Sequence, residues 1–421
     1  MSATVPPRPV GRLQLLALGV NGIVGVGIFF APAVVARQAP GAAAVLAFAI
    51  TGLALLPVAA AFAVLGRGFD VDGGPVVFAR AAFGDFASFV VGWVAYVSAF
   101  LSTSAVMVGL TGAVAPALGM DSPLARRFAA TLLVASLALL VASGIRISAR
   151  TWTALTVLKL FPLVALLLAF AIHGPGRLPP SDPGGGSASW LRAGLTVMFA
   201  YQGFEIVPVI AGHVRSSARS VPFATVGSLV VAIVLYVGLA GACVSALPGL
   251  AGSEAPLADA AGVLGGAALS KAVAWGTSVS ALGICLGMMV TTPRYLSALA
   301  AGNGLLDLDR EGASGVPLRA LLVTWVIVTV LVNLGDLSEL FALSAMAVLM
   351  QFGVTAASLI VLARRRQRGL SLHHAWLALP TLALALVLVA FGATRREVGV
   401  AGATVVTGAA LALLARPRAA S

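Results

Sequence analysis

The sequence has few charged residues, few cysteines and few polar stretches, and each shortage excludes a class of protein. Charged residues make up 10% of the 421 residues and hydrophobic residues 60%, and the mean hydropathy is +1.05. Because soluble domains carry about 25% charged residues, this composition excludes a soluble protein. The two cysteines lie within apolar runs, which favours buried small side chains over a disulfide framework.

Motifs of nucleotide and metal chemistry are also lacking. No G-x-x-x-x-G-K-[ST] motif occurs, and the glycines at 22, 25 and 27 follow no strand. The four histidines lie at or between the ends of apolar runs, which disfavours a metal site. The arginines that raise the pI to about 11.2 occupy short gaps, not a basic face. We therefore expect no metal ion, no cofactor and no nucleic-acid partner.

Long apolar runs are abundant instead, and twelve of them reach the roughly 20 residues that cross about 30 Å of hydrocarbon. The sequence therefore predicts an all-α polytopic membrane protein. The predicted spans are 13–36, 41–66, 86–116, 127–146, 151–172, 190–213, 222–247, 268–298, 318–335, 338–363, 374–393 and 398–415.

The basic residues between these spans predict the orientation. Seventeen lie on the side of the N-terminus, eight lie on the other side, and Lys159 lies within a span. Because basic loops stay inside, both termini are expected in the cytoplasm and the protein in the cell inner membrane.

Two of the spans are interrupted at matching places. Glycines break the first span within Gly22–Phe29, and Tyr201–Glu205 breaks the sixth, 178 residues later (203 minus 25). A break frees backbone N–H and C=O groups that lipid cannot satisfy, so it must line a protein-enclosed cavity. Paired broken helices are typical of transporters whose substrate binds near the midplane. The sequence therefore predicts a transporter.

Two ionisable residues lie deep within spans, where a charge is costly and functional roles are common. Lys159 lies about 12 Å along the fifth span, at 1.5 Å per residue, so its amine must face the protein interior. It is either a proton carrier or a fixed tether for neighbouring helices.

Glu205 directly follows the second break. Three roles are open for it: to hold the two half-helices together, to bind a substrate amine, or to carry a proton. A membrane-embedded enzyme is a remote alternative, because one lysine and one glutamate make no convergent catalytic cluster.

Four motifs, in the expected order, resemble the amino acid-polyamine-organocation (APC) superfamily of secondary transporters, and the similarity runs from about Leu13 to about Arg366. They are Gly25-Val26-Gly27-Ile28-Phe29, Gly73-Gly74-Pro75-Val76-Val77-Phe78 with Arg80-Ala81-Ala82-Phe83-Gly84, Leu155-Thr156-Val157-Leu158-Lys159, and Phe199-Ala200-Tyr201-Gln202-Gly203-Phe204-Glu205.

This resemblance implies a leucine-transporter-like core of 5+5 inverted repeats in which helices 1 and 6 are broken. The first repeat is expected at 1–172, the extracellular connection at 173–189, the second repeat at 190–366, and the peripheral helices 11 and 12 at 367–421.

The resemblance also implies the roles of individual residues. The broken helix-one amides are expected to hold the substrate carboxylate, carbonyls of helices one and six its amine, and Phe199 to cover it. Lys159 takes the place of the sodium ion of sodium-coupled relatives, which favours protons and predicts no sodium site. Tyr96, Tyr201 and Glu205 are gate or structural candidates. The full substrate-binding set is Gly22, Ile23, Val24, Gly25, Val26, Gly27, Phe199, Ala200, Gln202 and Gly203.

We expect a transporter of amino acids, not an enzyme, that is a monomer or weak dimer in the lipid bilayer. The cavity-lining helices offer mostly Ala, Gly, Val, Phe, Ser and Met, so neutral amino acids fit best, and we expect proton coupling as symport or antiport. Two alternatives remain open: a neutral amino acid exporter or exchanger, and a transporter of cationic amino acids or polyamines. One departure from the superfamily pattern, Ala211-Gly212-His213-Val214-Arg215 after helix six, predicts a differently built cytoplasmic gate.

Overall fold

A computed structural model describes residues 10–115, 118–120, 122–144, 149–174, 187–301, 307–312 and 315–415, and these residues are overwhelmingly helical. The α-helices are Arg12–Ile23 (α1), Val26–Gln38 (α2), Ala42–Gly68 (α3), Pro75–Phe83 (α4), Asp85–Val114 (α5), Pro123–Ala142 (α6), Ala149–His173 (α7), Ser187–Tyr201 (α8), Ser217–Ala246 (α9), Pro256–Ala300 (α10), Leu318–Leu334 (α11), Leu337–Arg364 (α12), Ala378–Val387 (α13) and Arg395–Leu414 (α14). Shorter 3-10 segments occupy Phe204–His213, Leu250–Gly252 and Leu372–Leu377, and a π-helical turn occupies Leu388–Gly392.

All twelve predicted spans coincide with helices. Within the described residues, nine helices are long and apolar enough to cross a membrane, and the bent pair α1 and α2 makes a tenth. The remaining two predicted spans coincide with α7 and with the 17-residue helix α11. The prediction of an all-α polytopic membrane protein is therefore confirmed.

Two helical pieces were not predicted. Helix α4 begins with Pro75 in its first turn, directly after Gly74 at φ +49°, and proline suits this position because its missing N–H needs no partner there. Helix α10 starts at Pro256, well before the predicted span, and is interrupted at Gly266, where φ is +75°. Both pieces are short and flanked by glycine, so neither showed the long apolar run on which the prediction of spans depended.

Small residues bring the central helices close together. A Cβ atom at Gly52 of α3 would lie 2.7 Å from Ile233 of α9 and 3.0 Å from Tyr201 of α8. A Cβ atom at Gly66 would lie 2.8 Å from Val221, further along the same helix pair. Glycines at helix interfaces let membrane helices approach closely, because lipid gives little hydrophobic drive for their association. Helices α1, α2 and α8 lie within this packing and form the centre of the protein.

The last two spans are less buried than the central ones. Only 22% of the apolar window of Leu372–Gly392 and 17% of that of α14 are buried, against 67% for α5 and α12. The expected peripheral position of these two spans stays a prediction. The division into repeats at 1–172 and 190–366 stays a prediction, and residues 175–186 of the expected connection lie outside the described residues. Cys243 and Cys285 are both buried and unpaired.

Candidate substrate site at two helix breaks

The first break separates α1 from α2. The backbone N–H of Val24 makes the last helical bond of α1, to the Val20 carbonyl oxygen at 2.8 Å. Gly25 is extended, with φ −120° and ψ −156°, and the two helices meet at an angle of 42°. The predicted break in the first span is therefore present, and it leaves the last carbonyls of α1 and the first amides of α2 without helical partners.

The second break follows Tyr201, at the end of α8. Gly203 has φ +129°, a conformation that L-residues with side chains rarely adopt, and the chain continues as the 3-10 segment Phe204–His213. The predicted break in the sixth span is therefore also present.

The two breaks touch each other through their backbones. A Cβ atom at Gly203 would lie 2.4 Å from the carbonyl carbon of Gly22 and 2.6 Å from the backbone nitrogen of Ile23. A Cβ atom at Gly22 would in turn lie 3.3 Å from the carbonyl oxygen of Gly203. The glycines at these positions therefore allow a backbone contact that no side chain could share.

Lys159 of α7 reaches the carbonyl end of the first break. Its Nζ donates to the carbonyl oxygens of Asn21 at 2.9 Å and Val24 at 2.6 Å. The side chain is 5% exposed, so these contacts replace the water that an ammonium group needs. The amine thus faces the protein interior and binds carbonyls that the break frees.

Tyr236 of α9 binds the carbonyl that lies between those two. Its hydroxyl donates to the carbonyl oxygen of Ile23 at 2.7 Å, and its ring stacks on that of Tyr201, with centroids 5.0 Å apart. The Tyr201 hydroxyl donates in turn to the carbonyl oxygen of Phe48 in α3. Two helices distant in sequence therefore hold the C-terminal end of α1, and Tyr201 has a structural position.

The amide end of the first break is arranged differently. Among the described residues, no side chain caps the N-terminus of α2 at Gly25, and a helix N-terminus attracts negative charge. A Cβ atom at Gly25 would make only ordinary contacts, the nearest at 3.6 Å, whereas one at Gly27 would lie 2.5 Å from the Cα of Ala200. Gly27 is therefore required for the packing of α2 on α8, and Gly25 is the glycine with space beside it.

Glu205 caps the second break. Its Oε2 accepts a hydrogen bond from the backbone N–H of Gly203 at 2.8 Å. The Gly203 N–H lies within the break, so the carboxylate satisfies a backbone donor that has no helical partner there. Among the roles considered for Glu205, this contact corresponds to the one that joins the two half-helices.

Phe199 and Gln202 lie on either side of the end of α8. The Phe199 ring is 7% exposed and stacks on Phe341 of α12, with centroids 4.1 Å apart. The Oε1 of Gln202 accepts from the Ser344 hydroxyl at 3.3 Å, and that hydroxyl contacts the Ser102 hydroxyl at 2.6 Å. The amide nitrogen of Gln202 is buried without a partner among the described residues, so it offers two N–H donors.

Polar contacts enclose the site from both sides. On the side of the α2 C-terminus, Gln38 accepts from Thr196 of α8 at 3.0 Å and donates to Ser338 of α12 at 3.5 Å. On the other side, Asp72 accepts from the Gly212 amide at 2.9 Å and pairs with His213 at 2.9 Å. The residues that depart from the superfamily pattern therefore contact the loop before α4.

Sequence reasoning missed several contributors. Tyr236, Phe341, Ser102 and Ser344 showed no signal, because single tyrosines, phenylalanines and serines are ordinary in apolar helices. Tyr96, which was a gate candidate, is fully buried and contacts Thr324 of α11 at 3.1 Å. It packs with Leu296 and Ala320 in a small cluster distinct from the main core.

Comparison with known proteins supports the same class. The chain is 30% identical over 409 residues to an uncharacterized transporter of Mycobacterium tuberculosis, covering 94% of this chain and 90% of that protein. It is 26% identical over 390 residues to the branched-chain amino acid permease BcaP of Bacillus subtilis, covering 85% and 82%. A methylthioribose transporter of Bacillus subtilis is 23% identical over 384 residues, with the same coverage.

The family assignment follows from a match that spans nearly the whole chain. The sequence profile of the amino acid permease family matches residues 10–407, which include both breaks and all but the last few residues of α14. The resemblance to APC superfamily permeases is thereby confirmed, and a small-molecule amino acid is the substrate class that this membership implies. The chain belongs to the amino acid permease family and is a multi-pass membrane transport protein.

Proposed function

We propose that the protein is a proton-coupled secondary transporter of neutral amino acids that works by alternating access around the two helix breaks. The observation that carries this proposal is the pair of hydrogen bonds from Lys159 to the Asn21 and Val24 carbonyl oxygens. An ammonium group binds these oxygens as a donor, whereas a neutral amine binds them more weakly. Protonation of one lysine would therefore change how firmly α1 is held against α7.

The substrate carboxylate would bind at the N-terminus of α2, beside Gly25. No side chain in the part of the chain that the structure describes caps these amides, and the helix dipole favours an anion at this point. The helix-one carbonyls are less available to the substrate amine, because Lys159 and Tyr236 already bind three of them. We therefore assign the amine chiefly to the carbonyl end of α8, a change from the equal division between helices one and six that the resemblance implied.

Neutral substrates are favoured because the two charged groups at the breaks are already engaged. Lys159 binds backbone carbonyls and Glu205 binds the Gly203 amide. A cationic substrate would need the Glu205 carboxylate, and its use there would release the cap of the second break. The direction of transport follows from the gradients, so an exporter or exchanger would use the same residues.

Gln202 is the residue to which we assign side-chain selectivity. Ser344 orients its amide oxygen, so the buried NH2 group is left to donate to a substrate side chain. Replacing Gln202 by methionine keeps the length and removes the donors. We expect the affinity for glutamine relative to leucine to fall by about fivefold to tenfold, as loss of one buried hydrogen bond of about 1 kcal/mol or slightly more implies. Competition by the two amino acids in the same binding assay measures this ratio.

Transport by the purified protein in proteoliposomes tests the proposal. The vesicles receive an imposed pH gradient, an imposed sodium gradient or neither, and radiolabelled leucine, alanine and glutamine are compared with lysine, putrescine and methylthioribose. We expect accumulation of neutral amino acids only with the pH gradient. Accumulation that follows sodium would refute proton coupling, and preferential uptake of lysine or putrescine would refute a neutral substrate.

The proposed orientation has both termini in the cytoplasm of a cell whose inner membrane contains the protein. A cysteine introduced at Arg368, between α12 and α13, should react with a membrane-impermeant maleimide only after the membrane is opened. Labelling in intact cells would instead indicate that this loop, and with it both termini, lies outside the cell.

A further inference from the structure

A groove lies away from the two breaks, at the periphery of the protein. It has a volume of about 420 Å³ and is bounded by α5, α11, α12 and α14. Its walls are mostly apolar and include Phe100, Leu331, Leu340 and Val400. The volume falls within the range of about 300–1,000 Å³ typical of small-molecule sites.

The dimensions of the groove limit what it can hold. Its lining on α14 runs from Arg396 to Thr407, so at 1.5 Å per residue its length is about 16.5 Å, close to half of the roughly 30 Å hydrocarbon core. A groove of this length spans about one leaflet of the bilayer and therefore suits an extended alkyl chain that enters from that leaflet.

The two ends of the groove differ in polarity. At the end where α14 begins, Arg396 pairs with Glu339 of α12 at 2.9 Å and its side chain is 78% exposed. Arg395, which precedes Arg396, is exposed, and so is Asp336, whose carboxylate accepts from the Glu339 N–H at 2.9 Å. At the deep end, Trp93 of α5 lies against α14, where a Cβ atom at Gly408 would be 2.7 Å from its ring. One end is therefore charged and open, and the other is aromatic and closed.

We propose that this groove binds one acyl chain of a phospholipid whose headgroup carries both a phosphate and a primary ammonium. The chain comes from the leaflet at which α14 begins. Arginine is well suited to phosphate oxygens, and Arg396 has donors beyond the one that Glu339 accepts. Glu339 and Asp336 supply the negative charge for the ammonium. A headgroup with both charges matches a mouth that carries both charges.

Native mass spectrometry of the purified full-length protein tests this proposal. Nanodiscs contain equal amounts of phosphatidylethanolamine, phosphatidylglycerol and phosphatidylcholine, and the lipids that stay bound after release are identified. We expect phosphatidylethanolamine to be retained at least about fivefold over the other two. Ala403→Phe places an aromatic ring in the groove and should remove this retention. Ala410→Phe changes an exposed residue of the same helix outside the groove lining and should leave it unchanged.

Each other outcome overturns part of the proposal. Equal retention by the parent and by a stably folded Ala403→Phe protein, with its thermal unfolding unchanged, would show that the lipid lies elsewhere. Preference for phosphatidylglycerol would reject the ammonium headgroup. Efficient disulfide-linked dimers of Ala403→Cys in the membrane would show that a second copy covers the groove. Arg396→Gln keeps the groove open and separates headgroup recognition from acyl-chain binding. It should reduce the headgroup preference without loss of acyl-chain binding.

Discussion

The two helix breaks are stabilised by different parts of the chain. Side chains from α7 and α9, more than 130 residues away, bind the carbonyls of the first break. The second break is capped by Glu205, only two residues from the amide that it binds. A break held by distant helices is expected to respond when those helices move or when the lysine changes its charge, whereas a locally capped break is expected to keep its shape. We therefore propose that the first break is the responsive one.

Loss of Lys159 should have the largest effect. Lys159→Ala removes two charge-assisted hydrogen bonds, each contributing about 1.5–3 kcal/mol, and leaves two carbonyls of the first break without their donor. We expect accumulation driven by a pH gradient in proteoliposomes to fall by about tenfold or more, although substrate still binds.

The matched control is Lys271→Ala, which changes an exposed lysine of α10 and should transport like the parent. If Lys159→Ala accumulated substrate as well as the parent does in a pH gradient, Lys159 would be a fixed tether and the first break would not be the responsive one.

The two glycines of the α2 start should separate binding from folding. Gly25→Val adds a side chain beside the amides assigned to the carboxylate, where only ordinary contacts await it, so we expect a folded protein whose affinity falls by about tenfold or more. Gly27→Val meets the Ala200 backbone and should destabilise the protein by about 1–3 kcal/mol, as overpacking does. Isothermal calorimetry and thermal unfolding measure the two effects. Full affinity in a folded Gly25→Val protein would contradict the assignment of the substrate carboxylate to the N-terminus of α2.

Glu205 should affect stability more than coupling. Glu205→Ala loses the cap of the second break and should cost about 0.5–2 kcal/mol in stability. Glu205→Gln keeps an oxygen that can accept from Gly203, so both its stability and its response to a pH gradient should stay near those of the parent. Thermal unfolding and transport are measured on the same preparation. Loss of proton coupling in Glu205→Gln would contradict the contrast between the breaks.

Tyr236→Phe should have the smallest effect. It removes the donor to the Ile23 carbonyl and retains the ring stacked on Tyr201. Loss of one neutral hydrogen bond costs about 1 kcal/mol, so the transport rate should change by only a few fold. A loss as large as that of Lys159→Ala would mean that the tyrosine, and not the lysine, controls the first break.

Most of the fold could be predicted from the sequence because a membrane span has a simple signature. Length and apolarity alone located α7, the 17-residue helix α11 and each described helix that is long and apolar enough to cross a membrane. Helix α4 and the first part of α10 were missed because they are amphipathic or short, and their ends depend on glycines with positive φ. Glycine alone does not reveal its backbone conformation.

The site was partly predictable for a related reason. A glycine-rich break and an ionisable residue within a span are rare, so Gly25, Gly203, Lys159 and Glu205 stood out. Partners such as Tyr236 and Ser344 did not, because their role depends on which helices face each other. The different positions of Gly25 and Gly27 also required the structure, since the motif contains both and only one is pressed against Ala200.

The backbone contact between Gly22 and Gly203 has a mechanical consequence. With only 2.4 Å between a Cβ atom at Gly203 and the Gly22 carbonyl carbon, a single methyl group would act as a wedge between the two broken helices. Without it, the two broken helices touch only through main-chain atoms. We therefore expect this contact to be the pivot point about which the two helices move relative to each other. Gly203→Ala should then block that movement even in a protein that still folds.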